Sequence, residues 1–393
     1  IDNYVDKHLI PQFKELVDKF KPSVIFSDGD WDFNHKSFRS NEMVQYYYDV
    51  VGEEGIVNDR WGIGFNHGYA TPEYSSGIMD KNRPWAECRG LSRSFALNRN
   101  ADLETYLTSE DLIKHFARLV AAGGGLTINV GPSADGKIPL LQQERLLDLG
   151  QWIKVNEEAI YGSRPFETVY QNQDMIANRL DEEINFNWVR NSPSKGVTED
   201  NFSILWKSNI TPTQTDTYTI YVEADEEAGL EIKDDEGKTI LRLASQKEEV
   251  KHRVKLKKDH NYTFELSYQE KTHEAVVKLS WECSQFEKQP IKSQWNGEVS
   301  WENTYVCFTK NKGNLYAISL EPISNSLTFK LDKAPEVGMK VFLLGEKRIE
   351  IPWQYDYENN KITLDTREIT PANITTKGAW VFKLDNYINY IQK

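Results

Sequence analysis

Residues 23–33, SVIFSDGDWDF, set three carboxylates two positions apart, Asp28, Asp30 and Asp32, directly after a short apolar run. Beside Phe26, Trp31 and Phe33, an ionised carboxylate must be hydrogen-bonded, paired or shifted in pKa. Three arrangements answer that demand: a catalytic carboxylate, a metal site, or a polar turn flanked by aromatics. Asp28 stands nearest the run, and Gly29 lets the chain turn tightly behind it. Asp30 and Asp32 read as capping, hydroxyl-binding or solvent-facing acids. In VNDRWG, residues 57–62, Arg60 lies between Asp59 and Trp61. Such an arginine, held by a carboxylate beside an aromatic wall, can orient a nucleophilic aspartate, bind a hydroxyl, or form an ordinary salt bridge. Glu73 falls in HGYATPEYSSG, residues 67–77, on a loop stiffened by Pro72 and near Tyr69 and Tyr74, a setting that suits an acid catalyst. The segment 83–100, RPWAECRGLSRSFALNRN, mixes Trp85 and Phe95 with four arginines and with Glu87, a second acid candidate. Asn129, in GLTINVGP, either caps a site or holds a loop.

Other chemistries fit poorly. His35, His67 and His115 lack ligand spacing, and no H-E-x-x-H occurs. DGDWD loosely resembles a calcium loop, but Arg39 stands twelfth from Asp28, where the closing glutamate belongs. The triple glycine at 123–125 follows a helical pattern instead of opening one, so it cradles no phosphate, and a Ser-His-Asp triad has no nucleophile elbow. No cofactor and no metal are expected. A formal net charge of -13 argues against a nucleic-acid surface, and the apolar runs are of strand length, too short to span a membrane. Cys88, Cys283 and Cys307 are too scattered for a redox pair or metal cluster. With 11 Trp, 19 Tyr and 17 Phe the chain is rich in rings. Many will be core, but rings beside carboxylates also suit sugars, whose C–H faces stack on them.

The elements that must position these groups change character near residue 168. Before it, Val5, Leu9, Phe13, Leu16, Val17 and Phe20 repeat with a helical period, Pro22 stops the pattern, and Val24–Phe26 make a strand. Ser109 reads as the N-cap of a second helix, the glycines at 123–125 end it, and Leu126–Val130 form a strand. GPSADG then turns into a further amphipathic helix ending at Gly162. Strand–helix alternation of this kind builds barrels whose functional residues gather where strands end. Three clear strand–helix beats are too few for eight. Beyond 168, short alternating runs (FSILW, YTIYVEA, GLEIKD, VKHRVKL, YTFELSYQ, AVVKLSW) predict an antiparallel sandwich. A second β series, from TYVCFTK to AWVFKL, follows.

The ordered set FSDGDW, VNDRWG, TPEY, W-x-x-C-R-G-L, SFALNRN, GGGLTINVGPSADG and LLDLGQWIKVNEEAIYGSRP resembles the family 29 glycoside hydrolases, the retaining α-L-fucosidases. The resemblance spans residues 1–167 and concerns the second half of their catalytic barrel. It implies that Asp28 is the nucleophile, Glu73 the acid/base and Arg60 a substrate contact, with Phe26, Trp85 and Phe95 lining the fucose pocket. Ala86 and Ala101 depart from the family pattern, each standing where a glutamate is common. Some members have their acid/base assigned at the first of these positions, so Glu87, one residue along, is the fallback acid. Residues 168–295 resemble a PA14-type sandwich, inserted before a C-terminal β-sandwich at 296–393. Because ADEEAGLEI lacks the adjacent Asp pair of PA14 ligand loops, a structural or substrate-shaping role is favoured for that domain.

The implied architecture is α/β plus all-β: the C-terminal part of a (β/α)8-like barrel followed by two β-sandwich domains. The implied activity is exo-hydrolysis of terminal α-L-fucose from glycans by double displacement. Two other readings stand beside it, a non-catalytic carbohydrate-binding protein and a retaining glycosidase on a related sugar such as a galactoside. The partner is a fucosylated glycan. The first half of the barrel is expected from a companion chain or segment, and the location is expected to be periplasmic or extracellular.

Overall fold

The computed structural model describes every residue except 30, 76–81, 190, 191, 195, 199, 272–274 and 392–393. Asp30 therefore lies outside the described residues. Two compact units are present, one of Ile1–Gln171 with Tyr305–Lys393, the other of Asn172–Thr304.

In the first unit, helix α1 (Ile10–Phe20) buries Ile10 and Val17 on one face and stops where Lys21 turns left-handed just before Pro22. Strand β1 (Val24–Ile25) follows, then α2 (Ser40–Val51) and β2 (Ile56–Val57), which pairs with β1 in parallel, Val24 opposite Ile56 and Ile25 opposite Val57. Met43, Val44 and Tyr47 of α2 share a core with Ile10 and Val17 of α1 and with Val57, Trp61 and Phe65. The two helices thus cover one side of the strand pair. Parallel pairing continues through single bridges, Asn58 with Tyr69, Ala70 with Trp85 and Glu73 with Cys88. It ends with β3 (Ala86–Gly90) beside β4 (Gly125–Asn129), again in parallel. This is an array of strand segments running the same way, with loops at one set of ends.

Helix α3 (Ser109–Ala121) feeds β4, and α4 (Leu140–Val155) follows it. The N-cap of α3 is Thr108, one residue before the expected Ser109. The Thr108 hydroxyl accepts from the Asp111 amide at 3.1 Å, whereas the Ser109 hydroxyl is taken by Asp148 of α4 at 2.5 Å. Both helices pack on the C-terminal β series: buried Leu112, Ile113, Leu149 and Trp152 share a core with Cys307, Tyr316, Ile318 and Val381. The Trp152 indole donates to the Ala379 carbonyl at 2.7 Å. A second apolar layer, containing Phe308, Phe329, Leu364 and Phe382, fills that β series.

The second unit is antiparallel β. Strands Asp216–Ala224, Glu249–Leu256 and Ala275–Cys283 pair in one sheet, and Phe202–Ile210, Glu227–Lys233, Thr239–Gln246 and Tyr262–Glu270 in another. Inward residues from both sheets, among them Trp206, Ile220, Val222, Leu230, Phe264 and Leu279, form one core. The alternation of buried and exposed positions along Phe202–Ile210 is what its sequence pattern predicts.

Candidate active site

Asp28 sits on the loop that leaves β1. Its backbone is pinned one residue earlier: the Ser27 amide donates to Asn58 Oδ1 at 2.8 Å, and Asn58 Nδ2 donates to the Ser27 carbonyl at 2.7 Å. Asn58 is fully buried, so this two-point clamp extends the β1–β2 pairing through a side chain. Gly29 then adopts a φ of 146°, open to glycine and strained for other residues.

Arg60 leaves the end of β2 and meets both acids. Its Nη1 donates to Asp28 Oδ1 at 3.1 Å and to Glu73 Oε1 at 2.5 Å. Its Nε donates to Thr71 Oγ1 at 2.9 Å and its Nη2 to the Thr71 carbonyl at 2.7 Å. The arginine side chain is 11% exposed against 57% for Asp28 and 41% for Glu73. The cation is therefore sunk beneath two acids that face outward. Burial acts to lower the Arg60 pKa, but hydrogen bonds and charge from Glu73 and Asp28 outweigh it and hold the guanidinium above its ordinary value. Phe26 supplies the aromatic wall, its ring centroid 5.5 Å from the guanidinium carbon. The sequence neighbours of Arg60 do other work. Trp61 is buried and packs edge-on to Phe13, and Asp59 accepts from the Thr71 amide, the Thr71 hydroxyl and Arg83 Nη2.

Tyr74, directly after Glu73, takes a left-handed φ of 46°. Its hydroxyl accepts from the Gly90 amide and donates to the Ser92 carbonyl, Arg89 lies over its ring at 5.4 Å, and Phe95 packs against it at 5.3 Å. The turn that carries Glu73 is thus held on several sides. Phe95 is partly exposed beside Tyr74, and Asn129 donates to the Phe95 carbonyl, the loop-holding role.

Two residues expected at the site lie elsewhere. Trp85 is 5% exposed and packs with Ala70 and Leu119, its ring pressed on the backbone of Gly124, where a Cβ would come within 2.3 Å of it. The glycine after α3 therefore makes room for Trp85 as well as ending a helix, and Trp85 is a core residue. Glu87 is fully buried and bonded to His115 of α3, with Arg89 Nη1 3.7 Å from its other oxygen. Burial holds the His115 pKa below its ordinary value despite the Glu87 contact that raises it. Side chains alternate along β3, so Glu87 points to the helix layer while Ala86 and Cys88 point the other way. Burial pushes the Cys88 thiol up, Arg60 pulls it down, and Glu73, Asp28 and Glu87 push it further up; Cys88 is the bridge partner of Glu73. Asp32 is exposed. Asn58 and Thr71 were not singled out by residue type, although both lie inside motifs that were, VNDRWG and TPEY. Among the described residues no group of three His, Cys, Asp or Glu side chains could hold a metal ion.

The Alpha-L-fucosidase family model matches residues 1–158, and the PA14 domain model matches residues 160–295. An Alpha-L-fucosidase of Branchiostoma floridae is 35% identical over 165 residues, covering 40% of this chain and 36% of that protein. A plasma alpha-L-fucosidase of Rattus norvegicus is 37% identical over 160 residues, covering 39% and 35% respectively. The chain thus spans a little over a third of the length of these relatives. Among solved structures, Thermotoga maritima alpha-fucosidase in complex with a mechanism-based inhibitor aligns with 98% of this chain and 57% of its own, at a TM-score of 0.53 and 19% identity. Alpha-L-fucosidase isoenzyme 1 from Paenibacillus thiaminolyticus aligns with 98% and 62%, at 0.53 and 14%. These two share the fold. The segment that holds Asp28, Arg60 and Glu73 belongs to the alpha-L-fucosidase family, and a PA14 domain follows it.

Proposed function

We propose that the protein is a retaining exo-α-L-fucosidase, with Asp28 as nucleophile, Glu73 as acid/base and a fucosylated glycan as substrate. The observation that carries this reading is the shared nitrogen of Arg60. Contacts of 3.1 and 2.5 Å to one atom place the two carboxylate oxygens no more than about 5.6 Å apart, a bound that admits the roughly 5–5.5 Å separation of retaining enzymes and is short of the roughly 6.5–9.5 Å that inversion needs. Asp28 attacks the anomeric carbon while Glu73 protonates the departing oxygen, giving a fucosyl-enzyme. Glu73, now a base, activates the water that releases fucose. Phe26 and Phe95 offer partly exposed rings to the sugar. The parallel strand segments read as part of a (β/α)8-like barrel. Val24 and Ile56, 50% and 48% exposed on neighbouring strands, support the view that further barrel strands cover them, supplied by a companion chain or segment.

A second reading, an inactive carbohydrate-binding variant, is kept open by Ala86. It stands on the face of its strand opposite to Glu87, at a position where glutamate is common in the family. Hydrolysis of an aryl α-L-fucoside by the intact protein separates the two. Asp28→Ala should abolish turnover, with azide restoring it and yielding the inverted β-fucosyl azide. Glu73→Gln with azide should yield the retained α-fucosyl azide. Fucose binding without turnover by the unsubstituted protein would favour the inactive variant.

A further inference from the structure

We propose that Thr71 is a positioning residue that fixes Arg60 between the two carboxylates, through a hydrogen-bond relay anchored on Asp59; the catalytic part of this rests on Asp28 and Glu73 having the roles assigned above. Thr71 is 6% exposed and touches Arg60 twice. The proton direction follows from chemistry alone. A guanidinium N–H can only donate, so Thr71 Oγ1 accepts from Arg60 Nε at 2.9 Å. The single hydroxyl proton is then free for Asp59 Oδ1 at 2.7 Å, an oxygen that can only accept when ionised. The same Asp59 oxygen takes the Thr71 amide at 3.1 Å, and Asp59 Oδ2 is held by Arg83 Nη2 at 3.1 Å.

The arrangement assigns different work to the edges of one rigid fork. Nε and Nη2 are spent on Thr71, which leaves Nη1 pointing at Asp28 and Glu73. Asp59 precedes Arg60 in sequence yet acts through Thr71, so its charge polarises the hydroxyl without competing for the nitrogen that serves the acids. An arginine held only by two outward-facing carboxylates could follow either of them. Anchored from behind, it sets their separation instead. Thr71 and Glu73 also lie two residues apart on one loop, so the relay ties the position of the acid to that of the cation.

The test compares Thr71→Val, which keeps the shape and loses the hydroxyl, with Thr71→Ser, which keeps the hydroxyl. Two readouts are taken on the intact protein: steady-state hydrolysis of an aryl α-L-fucoside, and the Arg60 Nε–H resonance after 15N-arginine labelling. In Thr71→Val, kcat should fall about 10- to 100-fold with KM changed by less than about threefold, the pattern of a misplaced catalytic group. The protected Nε–H signal should be lost in Thr71→Val. Thr71→Ser should restore both. A protected Nε–H in Thr71→Val would overturn the relay. Loss of that signal with kcat unchanged would overturn the positioning role, since Arg60 would be free and catalysis indifferent to it. If the unsubstituted protein does not hydrolyse the fucoside, the functional reading fails, and the Nε–H comparison still decides whether Thr71 anchors Arg60.

Discussion

Replacing Asn58 by alanine removes both hydrogen bonds that hold the Ser27 peptide groups, one residue before Asp28. Each bond is worth about 0.5–1.5 kcal/mol net, and leaving a buried donor and acceptor unpaired adds to the loss, so the local cost should be about 2–4 kcal/mol. At about 1.4 kcal/mol per decade, the Ser27 amide should exchange its hydrogen roughly 30- to 1,000-fold faster. Hydrogen exchange read by NMR or by mass spectrometry of a peptide covering 23–28 measures this directly. Helices α1 and α2 bury their own core and should stay protected. Fucoside hydrolysis should fall in kcat, because the loop bearing Asp28 gains freedom. Two results would refute the reasoning: Ser27 protection within about threefold of the original, showing that the clamp does not hold the strand end; or equal loss of protection in α1 and α2, showing that Asn58 supports the whole unit and not this loop.

Three further outcomes are expected. Burial pushes Glu270 up to about 7, its bond from Tyr268 opposing this while Asp225, Glu226 and Asp200 add to it. A carboxyl raised in the folded state contributes stability that is complete below its unfolded value and lost as pH rises through about 7. Calorimetry should therefore show the unit Asn172–Thr304 losing at most about 3 kcal/mol between pH 4.5 and 8, and Glu270→Gln should flatten that dependence. Gly124→Ala should destabilise the first unit by about 1–3 kcal/mol or more in denaturant unfolding, because the new Cβ meets the Trp85 ring. Combining it with Trp85→Phe should recover part of the loss. Glu87→Gln should lower stability by about 3–5 kcal/mol through the buried His115 and Arg89 contacts, with activity per folded molecule kept within about threefold. Loss of turnover in a fully folded Glu87→Gln protein would return that residue to the site.

The site was readable in the sequence where strand ends coincide with charged residues. Asp28 and Arg60 each follow a short parallel strand, and Glu73 follows a bridge-paired segment, so motif and geometry meet at the same positions. The β runs beyond 168 were plain where alternation with a period of two holds, as along Phe202–Ile210 and Tyr262–Glu270, whereas Asn314–Ser319 is buried at every position. Helix α2 gave no clear signal: its QYYYDVV run combines rings and β-branched residues that suit a strand as well. Trp85 misled because an aromatic beside arginines and an acid reads like a sugar platform, and only the third dimension shows Gly124 beneath it. Thr71 and Asn58 escaped notice for the opposite reason. They are small, uncharged side chains whose importance lies entirely in which backbone and guanidinium atoms they reach.

The face alternation of β3 also bears on whether Glu87 can stand in for a glutamate at position 86. For Glu87 to reach the acid pair, β3 would have to slip one residue against β4, and such a slip turns every side chain to the opposite face. The observed register sets Ala86 opposite Gly125 and Glu87 opposite Leu126. Slipping would draw Glu87 from His115, move Trp85 off Gly124, and send Ala86 and Cys88 into the helix layer. Breaking the Glu87–His115 hydrogen bond alone costs about 1.5–3 kcal/mol, a sizeable part of the roughly 5–15 kcal/mol that holds a domain folded. A substitution at position 86 therefore cannot be repaired by its neighbour. The acid on the side of Asp28 is Glu73, already bonded to the same arginine nitrogen.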